Sequence, residues 1–106
     1  MRYLVLSKMQ NTQPDEKLVA DMAAFIEEMT ASGVLLATGG LDPAGFKIES
    51  SGDDVTITDG PFTEAKEAFG GFALVEVRSR DEAIELDRRF RTIVGDGESV
   101  IHQVFA

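Results

Sequence analysis

The sequence predicts an α+β fold in which two helices lie on one face of a mainly antiparallel sheet. Three observations carry this. Two stretches, 14–32 and 80–94, repeat apolar residues at helical spacing. Around them lie short segments that are continuously apolar or alternate with a period of two, as strands do. Clusters of Gly, Pro, Asp and Ser separate these segments, so the order reads strand, helix, strand, hairpin, loop, strand, helix, strand.

The chain opens on an apolar strand, Arg2-Tyr3-Leu4-Val5-Leu6. The first helix is expected to begin near Pro14, a residue suited to the first helical position because an N–H there would have no intrahelical partner. Leu18, Met22, Phe25, Ile26 and Met29 form its inner stripe, and Gly33 stops it. Val34 to Thr38 reads as a buried strand. Phe46 and Ile48 alternate with Lys47 and Glu49, and Val55 and Ile57 alternate with Thr56 and Thr58. These flank the turn Ser51-Gly52-Asp53-Asp54 and predict a β-hairpin of half-exposed strands. The hairpin delivers the chain into a loop at Asp59, and Gly71 to Val77 follows as a strand rich in Phe, Leu and Val. Ser79-Arg80-Asp81-Glu82 has the spacing of a capping box, and Ala83, Leu86 and Phe90 supply the inner stripe of the helix it opens. That helix fades at Val94-Gly95-Asp96-Gly97, after which Val100, His102 and Val104 alternate with Ile101, Gln103 and Phe105 in a last strand.

With 106 residues and 43% apolar content, positions 1–106 are expected to form a single domain able to bury a core. The absence of cysteine excludes disulfides, thiolate metal sites and thiol nucleophiles. No apolar run approaches the roughly 18 residues of a spanning helix, and the N-terminus lacks a signal-peptide pattern, so the expectation is a cytoplasmic protein with no membrane partner. Asp and Glu number 19 against 10 Lys and Arg. Such a surface repels a phosphate backbone, which argues against direct nucleic-acid binding. Arg78, Arg80, Arg88, Arg89 and Arg91 are the one basic concentration, and the interspersed Asp81, Glu82, Glu85 and Asp87 make it a mixed solvated face.

The most informative stretch is Thr58-Asp59-Gly60-Pro61-Phe62-Thr63-Glu64-Ala65-Lys66-Glu67. Asp59 can bond backbone amides ahead of it, Gly60 tolerates dihedrals closed to other residues, and Pro61 fixes φ and removes a donor. One defined loop conformation follows, able to present side chains. Asp59-Gly60-Pro61-Phe62, followed by Glu64, Lys66-Glu67 and Gly70-Gly71-Phe72, resembles the signature of the DGPF group of the YCII-related family, and order and spacing agree along essentially the whole chain. The resemblance implies a ferredoxin-like subunit that pairs as a dimeric α+β barrel. Two helices on one face leave the other needing cover, and a second copy of the sheet supplies it, so a homodimer is expected. Genes of the DGPF group often lie beside those of extracytoplasmic-function sigma factors, which implies an accessory role in a transcriptional response.

Candidate chemistry is sparse. His102 is the single histidine, a residue type suited to carrying protons, but no Ser, Cys or acidic residue beside it in sequence forms a dyad or triad. In some YCII-related members outside the DGPF group, a His and Asp pair, the His from the first helix, is associated with hydrolysis. The corresponding stretch here, Asp21-Met22-Ala23-Ala24-Phe25, has no imidazole. Asp59, Glu64 and Glu67 beside Lys66 could do acid or base work if a low-dielectric pocket shifted their pKa values. Asp53, Asp54 and Asp59 lack the alternation of a calcium loop, and one histidine cannot build a zinc site, so no metal or cofactor is expected. Gly39-Gly40 and Gly70-Gly71 lack phosphate-loop spacing; the first pair is read as ending a strand or permitting a bend and the second as separating the 59–62 loop from its strand. Phe46, Phe62, Phe69 and Phe72 are read as core, with the lining of an aromatic pocket as the alternative.

These features favour a small-ligand-binding dimeric module whose pocket is bordered by the 59–62 loop, with Asp59, Gly60, Pro61, Phe62, Glu64 and Lys66 as the binding candidates. The alternatives are a cofactor-free enzyme using a loop carboxylate as acid or base, with oxygenase chemistry following from fold analogy alone, or the sigma-factor-linked accessory protein.

Overall fold

Alternation in the first strand sets the layering of the molecule. In a computed structural model describing residues 1–9, 15–42, 44–60 and 69–105, Tyr3, Val5 and Ser7 are buried while Leu4 and Leu6 between them are only partly covered. One face of that strand therefore meets the core and the other does not. The elements run β1 (Arg2–Met9), α1 (Glu16–Ala31), β2 (Leu35–Gly40), β3 (Phe46–Ser51), β4 (Asp54–Asp59), β5 (Gly71–Glu76), α2 (Arg80–Val94) and β6 (Gly97–Val104).

Four strands form one sheet in the order β2-β5-β1-β6, and every pairing is antiparallel. Tyr3 stands opposite Val75 and Gln103, and Leu4 opposite Leu74 and His102. With the β3–β4 hairpin set aside, the chain runs βαββαβ and its four strands stand second, third, first, fourth across the sheet. That is the ferredoxin-like topology the family resemblance implies. Tyr3, Val5, Val75, Val77 and Ala83 form the buried core, with Leu35, Leu86 and Ile101 packed against it, so both the sheet and α2 contribute.

Capping fixes where the helices start. Asp15 is the N-cap of α1 and accepts from the Leu18 amide at 2.7 Å, so the helix begins two residues after Pro14, which lies outside the described residues. An acceptor in position to satisfy a first-turn N–H sets the start more strongly than a residue that only tolerates the first turn. Ser79 caps α2 by accepting from Glu82 N at 3.1 Å. The Glu82 carboxylate reaches back one residue further than a capping box requires and accepts from Arg78 N at 3.1 Å.

Three strands differ from their sequence reading in exposure. β2 is largely exposed, including Leu36 at 45%, because it is the sheet's edge and has a register irregularity between Leu35 and Ala37. Every residue of β3 and β4 is exposed as well. Ile48 pairs with Ile57, Ser50 with Val55 and Phe46 with Asp59, so Phe46, Ile48, Val55 and Ile57 share one face of the hairpin. That face touches little of the rest of the chain, which is why Phe46 is 67% exposed and is no part of the core.

Candidate functional site

A cavity of about 280 Å³ lies between the two helices and the inner face of the sheet. The inner stripe of α1 forms one wall with Met22, Phe25, Ile26 and Met29. α2 forms the other with Ala83, Leu86, Asp87 and Phe90, and Val5, Ala73 and Val75 make the floor. Helical spacing explains the α2 wall, since positions 83, 87 and 90 fall on one face. The end near Val75 and Ala83 is buried. The opposite end is bounded by Gly39, Gly40 and Gly70, which are exposed, and by the Gly40–Gly71 pair where β2 meets β5.

Exposed ion pairs brace the helices around this space. Arg89 on α2 donates to Glu28 on α1 at 2.7 Å and lies over the Phe25 ring at 5.1 Å, tying the two walls together. The hydrogen bond from Arg89 holds the Glu28 carboxyl below its ordinary range, so the contribution of this pair to stability is present above that range and is lost as pH falls through the lowered value. Arg88 pairs with Glu85 at 3.4 Å. Arg91 donates to Ser99 Oγ and the Glu98 carbonyl, both at 3.0 Å, and its Cζ lies 5.1 Å from the Phe90 centroid. The expected mixed charged face is thus observed, with one exception. Asp87, read as part of that face, lines the cavity instead. Its place at i+4 from Ala83 and i−3 from Phe90 is the signal in the sequence that could have found it.

Of the predicted loop residues, Asp59 and Gly60 are described, and neither is among the lining residues of this cavity. Asp59 ends β4 opposite Phe46, is exposed, and makes no side-chain hydrogen bond to a described residue. Gly60 donates its N–H to the Gly45 carbonyl at 2.9 Å, and a Cβ there would strike the Ala44 carbonyl. Its φ is not positive, so the glycine is required by this close approach and not by an unusual dihedral. Pro61, Phe62, Glu64 and Lys66, with Glu67, lie outside the described residues. Gly70 and Gly71, which follow that segment in the sequence, do line the exposed end of the cavity.

His102 is exposed on the edge strand β6, opposite Leu4, on the sheet face turned away from the helices. A group there cannot reach a ligand held between the helices and the sheet. His102→Gln is therefore expected to leave ligand affinity within about threefold of the parent between pH 6 and 8. Isothermal titration with any bound ligand checks this, and a loss above tenfold with the oligomeric state unchanged would contradict the placement.

Among the described residues no three His, Asp or Glu side chains come together as a metal cluster, and no helix is long and apolar enough to cross a membrane. In overall form the chain is similar to 5-chloro-2-hydroxyhydroquinone dehydrochlorinase (TftG) of Burkholderia phenoliruptrix AC1100, solved in complex with 2,5-dihydroxybenzoquinone. The TM-score is 0.53 at 15% identity, covering 99% of this chain and 94% of that one, a likeness of fold. In sequence it is 32% identical over 78 residues to the uncharacterized protein R00369 of Rhizobium meliloti (strain 1021). That match covers 72% of this chain and 63% of the relative's length. The model of the YCII-related domain matches residues 1–101, and with the βαββαβ topology this establishes that the chain belongs to the YCII-related family.

Proposed function

We propose that this chain is a cytoplasmic, small-ligand-binding module that works as a homodimer, with the ligand seated in the cavity between α1, α2 and the sheet. The Asp59-Gly60-Pro61-Phe62 loop, with Glu64 and Lys66, borders its exposed end. The cavity itself carries this reading. It is concave and mostly apolar, has a few polar groups, and at about 280 Å³ sits at the small end of ligand pockets. Gly70 and Gly71 at its exposed end support the part given to the loop that precedes them. The complex of the structural neighbour with 2,5-dihydroxybenzoquinone supports a small molecule as the kind of ligand.

Screening a fragment library against isotope-labelled protein tests the reading. Hits are expected to shift the amides of Met22, Phe25, Leu86 and Phe90. Hits that move only hairpin residues, or no hits from a folded sample, would remove the cavity as the ligand site.

The homodimer is supported by two apolar surfaces, one exposed and one partly covered. One is the hairpin face of Phe46, Ile48, Val55 and Ile57, each between 59% and 67% exposed. The other is the sheet face of Leu4, Leu6, Leu74 and Val100, partly covered and turned from the helices. A two-stranded hairpin is marginal in water on its own, and exposed apolar patches of this kind mark interfaces. A two-fold pairing lets the same patches cover each other. Light scattering is expected to give twice the 11.5 kDa chain mass. Ile57→Lys, which places a charge at the centre of the hairpin face, is expected to weaken pairing by about tenfold or more. A monomer at micromolar concentration, unchanged by dilution and by Ile57→Lys, would count against the dimer.

A further inference from the structure

The polar side chains on the cavity wall are acceptors, and one of them is a charge without a partner among the described residues. Ser7 donates its hydroxyl to the Gly71 carbonyl at 3.4 Å, and Thr38 donates to the Phe72 carbonyl at 2.9 Å. With their protons engaged, both hydroxyls have only lone pairs left to offer. Asp87, on the same wall, has no hydrogen bond or ion pair with any described residue. The arginines nearest to it in sequence are engaged elsewhere: Arg88 with Glu85, Arg89 with Glu28, and Arg91 with Ser99 and the Glu98 carbonyl. Among the described residues, the rest of the cavity lining is aliphatic, aromatic or glycine.

A carboxylate on an apolar wall is poorly compensated, and the ligand that gains most beside it brings both positive charge and N–H donors. The net charge of −9 favours the approach of a cation over that of an anion. Phe25, Leu86 and Phe90, which line the same cavity, ask for an apolar body on the same molecule. We propose that the cavity takes a small primary amine with an apolar body, its ammonium group seated on Asp87. This assignment rests on the cavity being the ligand site.

Benzylamine, benzyl alcohol and benzoate test it, because they share a ring and differ in head group as cation, neutral hydroxyl and anion. Each is titrated at neutral pH against the isotope-labelled full chain. Benzylamine is expected to bind about tenfold or more tightly than benzyl alcohol, the difference a charge-assisted hydrogen bond makes, with benzoate weakest. The shifts should centre on Leu86, Asp87 and Phe90. Asp87→Asn, with Asp87→Ser as a second uncharged variant, should lower benzylamine affinity to the level of benzyl alcohol and leave benzyl alcohol unchanged. Equal binding of benzylamine and benzyl alcohol by the unaltered protein, both at cavity residues, overturns the charge assignment and leaves the cavity as a ligand site. Failure of all three compounds to shift any cavity residue overturns both.

Discussion

Val75→Asp is expected to abolish cooperative folding. Val75 lies on β5, between β2 and β1 in the sheet, is 2% exposed, and faces the helices within the cluster of Tyr3, Val5, Val77 and Ala83. That cluster offers no positive charge, its one polar side-chain group being the Tyr3 hydroxyl, and burying a poorly compensated carboxylate costs several kcal/mol, on the order of the roughly 5–15 kcal/mol that holds a domain together. Circular dichroism through a thermal ramp should show no sharp transition. Val75→Ala provides the milder counterpart. Losing two methyl groups and leaving a void costs about 2 kcal/mol, or roughly 10 °C in Tm, with the fold retained. Because Val75 also forms part of the cavity floor, the alanine variant separates stability from binding: it stays folded while the cavity grows. A sharp transition for Val75→Asp within about 1 kcal/mol of the parent would mean that the interface between sheet and helices is not the core.

Gly60→Ala is the second large effect. The added Cβ strikes the Ala44 carbonyl, and relieving that clash disturbs the Gly60 to Gly45 hydrogen bond of 2.9 Å that closes the hairpin's base. Overpacking of this kind costs about 1–3 kcal/mol, and losing the hydrogen bond adds about 1 kcal/mol. Gly52→Ala is the control. Gly52 has φ +61° in the turn between β3 and β4, with open space where a Cβ would go, so its cost is only conformational, about 1 kcal/mol. Denaturant midpoints should therefore fall further for Gly60→Ala than for Gly52→Ala. The reverse order would return Gly60 to the dihedral reading of its sequence and discard the close approach. A loss at Gly60 would also redirect the chain into the Asp59 loop, so ligand binding in Gly60→Ala reports on that loop without altering its side chains.

Local rules determined the elements of this protein from sequence alone. Helical spacing selected Leu18, Met22, Phe25, Ile26 and Met29 as the inward stripe of α1, and none of them is exposed. The Ser79 to Glu82 spacing located the start of α2, and alternation in β1 and β6 assigned opposite faces to neighbouring residues. These outcomes depend on contacts within one turn or one pleat, and a sequence window contains both partners. The tertiary structure decided what depends on distant partners. Val34 to Thr38 reads as a buried strand and the hairpin strands as half-exposed, yet β2 is an exposed edge and β3–β4 stands clear of the sheet, because burial depends on what arrives from elsewhere in the chain. Gly60 is a turn glycine by its neighbours and a contact glycine by its surroundings, since Ala44, sixteen positions earlier, comes against it only when the hairpin closes. The cavity was illegible for the same reason. Its walls come from five elements, and Asp87, one acid among several on a charged helix in sequence, becomes distinctive once its neighbouring arginines pair elsewhere and its own face meets α1 across an apolar space.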